Sequence, residues 1–147
     1  MRILLVESDA KKAEEILDYA KNGFGLLRDC KPEYIVANHY DWQYLAGPCS
    51  SINWRKGEFD AVVITSITLQ DEEYSGQFGL VMAAEAAKRN LPCVIVLPSE
   101  EVWMFPFCWN ISARTIATNK YRELGFDLHD LMIALCEELE KKGIDYN

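Results

Sequence analysis

No segment of this sequence is apolar for the ~18 residues that a membrane-spanning helix needs, which excludes a helical span. The five cysteines (Cys30, Cys49, Cys93, Cys108 and Cys136) include no C-x-x-C pair, which argues against a zinc site. Their odd, scattered set fits reduced thiols better than a disulfide framework, with Cys93 and Cys136 placed as small core residues by the apolar patterns around them. The eight glycines form neither a G-x-G-x-x-G nor a P-loop pattern, so the common signatures for dinucleotides and nucleoside triphosphates are missing. Histidine is scarce as well: His39 and His129 stand apart, and neither is assigned a metal or catalytic role.

Basic charge is also short. Fifteen Lys and Arg face 23 Asp and Glu, for a net charge of −8, where binding to a nucleic-acid backbone asks for a basic face. The same balance disfavours an anionic membrane surface. The apolar opening Met1-Arg2-Ile3-Leu4-Leu5-Val6 stops at Glu7, too short for a signal-peptide core and without a small-residue cleavage site. A cytoplasmic location is the expectation. Half of the residues are hydrophobic, enough for a proper core in a chain of 147, and no repeat, low-complexity tract or linker divides it. One domain over 1–147 is expected, with irregular segments near 39–57 and 99–113.

What is present is organised around Glu58-Phe59-Asp60-Ala61-Val62-Val63-Ile64-Thr65-Ser66. An apolar, β-branched run without alternation fits a strand buried on both faces, at the centre of a parallel sheet. Beyond the carboxyl end of such a strand, ligands and chemistry gather in open α/β sheets, and Thr65 and Ser66 stand there.

Taken in order, the pattern predicts a strand over 3–6 and a helix over 10–21, capped by Ser8 or Asp9, with Ala13, Ile16, Leu17 and Ala20 on one face. A second strand is expected over 33–38. After the central strand and an acidic loop comes a helix over 76–90, with Phe78, Val81, Met82 and Ala86 facing one way. A fourth buried strand follows over 92–97 and a fifth over 114–118. Asp127 and Asp130 have the spacing of a capping box, opening a last helix that carries Leu128, Leu131, Met132, Leu135 and Leu139 on one side and ends near Gly143. Alternating strands and helices with right-handed crossovers give a doubly wound α/β three-layer sandwich, with a five-stranded parallel sheet in the order 2-1-3-4-5.

On these residues the chain resembles the receiver domains of bacterial two-component response regulators. Arg2-Ile3-Leu4-Leu5-Val6-Glu7-Ser8-Asp9 is similar to the receiver's first strand and acidic pair. Phe59-Asp60-Ala61-Val62-Val63-Ile64 is similar to its third strand, which the phospho-accepting aspartate normally follows. Gly79-Leu80-Val81 through Leu97 resembles the third helix and fourth strand, and Gly125-Phe126-Asp127-Leu128-His129-Asp130-Leu131 the start of the fifth helix. The resemblance spans nearly everything outside 39–57 and 99–113, and it implies a flavodoxin-like fold and a signalling role.

Receiver chemistry, as the resemblance implies it, needs four things. An aspartate forms an acyl phosphate, and carboxylates hold the Mg²⁺ beside it. A hydroxyl after the fourth strand and a lysine after the fifth then engage the phosphoryl group. Here the nucleophile position falls on Thr65, whose neutral hydroxyl cannot form an acyl phosphate. The acidic pair becomes Glu7-Ser8, with Asp9 one residue on, a poor set for an ion that favours carboxylates in a near-ideal octahedron. The switch hydroxyl falls on Leu97 or Pro98, and Ser99 takes its place only if the loop shifts. Lys120 lies near the lysine position without the usual following proline, and Asn119 is an alternative. The resemblance is therefore to a degenerate receiver, a pseudo-receiver, with no catalytic residue, no metal and no cofactor.

Several residues carry two readings. Thr65 and Ser66 are candidates for modification or ligand contact, or hydroxyls that satisfy a neighbouring backbone group. Glu7 and Asp9 are remnants of a cation site, or Asp9 is a helix cap. Val102-Trp103-Met104-Phe105-Pro106-Phe107-Cys108-Trp109 is unusually aromatic, and its proline opposes a full helix. Trp103, Phe105, Phe107 and Trp109 either roof the core or form a contact surface for a protein partner or a second copy of the chain. A rival reading from another class is an enzyme or small-ligand binder on the same fold, of nucleosidase or deoxyribosyltransferase type. It draws on Thr65-Ser66-Ile67-Thr68, Ser75-Gly76-Gln77 at a helix start, and Glu7, Asp71 and Glu85 as candidate acids.

Overall fold

The computed structural model describes residues 1–7, 9–23, 33–37, 59–65, 78–97, 113–117 and 125–144. The short β-branched runs become five strands: β1 (Arg2–Val6), β2 (Glu33–Ala37), β3 (Ala61–Ile64), β4 (Cys93–Leu97) and β5 (Arg114–Ala117). They form one parallel sheet in the order β2-β1-β3-β4-β5. Ile3–Val6 and every residue of β3 and β4 are buried, as a strand covered on both faces requires, which is why these segments show no polar alternation. The edge strands differ. Val36 of β2 is 36% exposed and Arg114 of β5 points its charge outward to Glu137 at 3.1 Å.

Period-2 alternation sorts the side chains onto two faces. Ile3, Leu5, Ala61, Val63, Val94 and Val96 meet α1 (Ala10–Asp18) and the last helix, α3 (Leu128–Lys141). Leu4, Val6, Val62, Ile64, Cys93, Ile95 and Leu97 turn to the other face, where α2 (Phe78–Lys88) supplies Met82, Ala83 and Ala86. Helices therefore lie on both sides of the sheet, as expected from the sequence.

Two helix starts and two helix ends have a clear physical basis. The Asp9 carboxyl accepts from the Lys11 and Lys12 N–H groups at 2.9 and 3.1 Å, and the Asp127 carboxyl from His129 and Asp130 at 2.8 and 3.3 Å. Both occupy the N-cap with extended backbone, satisfying donors that have no intrahelical partner. Helix α2 ends at Asn90 with φ of 57°, where Leu91 N–H donates to Ala86 and Asn90 N–H to Ala87. Helix α3 ends in the same way at Gly143 with φ of 71°, Ile144 bonding to Leu139 and Gly143 to Glu140. Both are Schellman endings, closed by a left-handed residue. The Lys142 ammonium donates to the Asn90 side-chain oxygen, linking the two ends.

The helix expected over 10–21 differs in one respect. It is α-helical only to Asp18 and continues as a π-helical turn over Tyr19–Gly23. Across that turn Ala20 stays buried, and the Tyr19 hydroxyl lies 3.3 Å from His129 Nδ1 on α3. Leu17, expected on the buried face with Ala13, Ile16 and Ala20, is only partly covered. Among the described residues no helix is long and apolar enough to cross a membrane.

Candidate functional site at the carboxyl edge of the sheet

Parallel pairing fixes which residues meet beyond the strands. Val6 is in register with Ile64, so the next residues, Glu7 and Thr65, leave the sheet side by side. Thr65 N–H donates to the Val6 carbonyl at 3.1 Å, extending the ladder by one bond past β3. Its hydroxyl donates to Glu7 Oε2 at 2.9 Å, with the Val6 carbonyl at 3.3 Å as a longer second acceptor. One hydroxyl proton cannot serve both fully, and the shorter contact to the carboxyl group is the stronger.

Glu7 is only 3% exposed, a rare setting for an acid. A buried carboxyl must be hydrogen-bonded or it opposes folding, and the Thr65 hydroxyl supplies one such bond. Thr65 itself is half-buried. The centre of the carboxyl edge is thus occupied by a hydroxyl and a carboxyl group turned toward each other.

The other candidate acids are placed elsewhere. Asp9 is exposed, and its carboxyl is engaged in capping α1. Glu85 lies on the eighth residue of α2, a helix that runs back toward the amino edge, where Val62 N–H meets the Pro92 carbonyl and β4 begins. It pairs there with Arg89 at 3.5 Å, so the structure does not bring it to Glu7 as the rival enzyme reading asks. Asp60 belongs to the amino edge as well. Its carboxyl accepts from Arg2 N–H at 2.8 Å, its own N–H donates to the Arg2 carbonyl at 2.7 Å, and the Arg2 guanidinium lies 5.7 Å from the centre of the Phe59 ring. Among the described residues no group of three or more His, Cys, Asp or Glu has the arrangement of a metal centre.

Ser8, Ser66, Asp71, Ser99 and Lys120 lie outside the described residues, as do Trp103, Phe105, Phe107 and Trp109. What the sequence reading did not foresee is the depth of Glu7 and the identity of its partner. The signal was present. Aligning Arg2-Ile3-Leu4-Leu5-Val6 with Asp60-Ala61-Val62-Val63-Ile64 as parallel neighbours sets Glu7 level with Thr65. A second buried acid, Glu138 on α3, was also missed; it pairs with Lys141 at 2.9 Å one helical turn on. Together with burial, its charge pushes the Cys93 thiol up from 9.0 to about 12, burial being the larger cause.

No family model matches the chain, and neither does any curated protein. Among solved structures it is similar to a bacteriophytochrome response regulator, RtBRR, with a TM-score of 0.53 over 94% of this chain and 76% of that one. The two are 18% identical, so the likeness is one of fold. Five parallel strands in the order 2-1-3-4-5, covered by helices on both faces, give this chain the flavodoxin-like fold of a response regulator receiver.

Proposed function

We propose that this chain is a receiver-like signalling domain that has given up aspartyl phosphorylation and acts by binding protein, either a partner or a second copy of itself. The observation that carries the reading is the Thr65–Glu7 pair. A receiver places its phospho-acceptor directly after the third strand, and here that position holds a hydroxyl bonded at 2.9 Å to a buried carboxyl. With Asp9 engaged as a helix cap, Glu7 is the one acid of the receiver-like set that stands at Thr65 among the described residues, and no group of three metal-ligating side chains forms there. What is left of receiver function is the scaffold and its surface. Contact through the aromatic segment 102–109, with Trp103, Phe105, Phe107 and Trp109 as anchors, is the mode of binding this reading favours.

The deciding experiment is incubation with Mg²⁺ and either acetyl phosphate or beryllofluoride. Intact-mass spectrometry should show no phosphoryl adduct, and tryptophan fluorescence should not change. Thermal unfolding should also stay where it is. A ligand present at 100 times its dissociation constant would add about 2.7 kcal/mol to stability, enough to shift the midpoint by several degrees. An adduct mapped to Glu7 or Asp9, or such a shift with beryllofluoride, overturns the proposal.

A further inference from the structure

We draw no further inference here: the strongest candidate, the hydroxyl–carboxyl pair of Thr65 and Glu7 at the carboxyl edge of the sheet, belongs to the site already described, and nothing in the structure shows a ligand or partner chemistry that would engage it.

Discussion

At the scale of single residues, Thr65 has the clearest consequence. Replacing it by Val keeps the volume but deletes the hydroxyl that donates to Glu7, leaving a buried carboxyl with one donor fewer. That loss should cost about 1–3 kcal/mol, whereas Thr65→Ser keeps the donor and costs less. Urea titration checks this: the midpoint falls for Thr65→Val with an unchanged m-value, and Thr65→Ser lies between it and the parent. Equal midpoints for the two variants would show that the hydroxyl does not matter to Glu7. The place of Thr65 just beyond β3 was legible from the sequence because the apolar, β-branched run ends at Ile64. Its partner was not, because the sequence reading grouped Glu7 with Ser8 and Asp9 as the remnant of a cation site. Only the parallel register reveals that β1 and β3 carry Glu7 and Thr65 to the same level.

Cys93 gives the residue scale a pH dependence. Its thiol titrates near 9.0 in the unfolded chain and at about 12 in the folded one, because it is buried and near the charge of Glu138. Between those values the unfolded chain binds fewer protons than the folded chain. Stability therefore falls as pH rises above 9.0, by at most about 1.4 kcal/mol per pH unit from this group. The contribution is fully present below pH 9.0. Tyrosine and lysine also titrate in this window, so the measurement is a difference. Unfolding free energies of the parent and of Cys93→Ala, taken from pH 8 to about 11, should diverge in slope, with the parent falling more steeply. Parallel curves would mean that the folded thiol ionises as readily as the unfolded one.

At the scale of elements, the sequence disclosed the helices through their punctuation as much as through their apolar faces. Asp9 and Asp127 were visible as caps because a short acid before an apolar-periodic stretch is a common helix start. Gly143 was visible as a stop. Asn90 performs the same left-handed role at the end of α2, where the sequence showed only the end of a helical pattern. The π-helical turn at Tyr19–Gly23 was not legible, since an inserted residue leaves the local apolar spacing almost unchanged. Helix α3 allows both ends to be tested in one element. Asp127→Ala should cost about 1 kcal/mol by leaving the His129 and Asp130 N–H groups without that acceptor. Gly143→Ala should cost about 1–2 kcal/mol through backbone strain alone, because a Cβ there meets nothing within 4 Å. The caps lie at opposite ends of a 14-residue helix, so their effects should add in the double variant, as read from chemical denaturation. A Gly143→Ala variant as stable as the parent would contradict the left-handed geometry.

At the scale of the whole molecule, fold and chemistry separate. The sheet order, the two covered faces and the buried central strands follow from apolar runs and crossover handedness, which tolerate almost any change at the carboxyl edge. Phosphoryl chemistry depends instead on a few side chains at that edge, so it can be lost while the scaffold persists. On the proposed reading the chain acts through its surface, which is where the aromatic segment enters. Trp103, Phe105, Phe107 and Trp109, the anchors of the proposed contact, lie within seven residues of one another on either side of Pro106. With a net charge of −8, two copies also repel at long range. A self-association driven by these aromatics should therefore strengthen with added salt, opposite to one driven by ion pairs. Sedimentation velocity over a concentration series should show a reversible dimer whose dissociation constant rises at least about tenfold, a loss of about 1.4 kcal/mol, in Trp103→Ser or Phe105→Ser. A parent that stays monomeric at every salt concentration excludes the self-associating form of the proposal. A dimer indifferent to both substitutions places the contact elsewhere on the molecule.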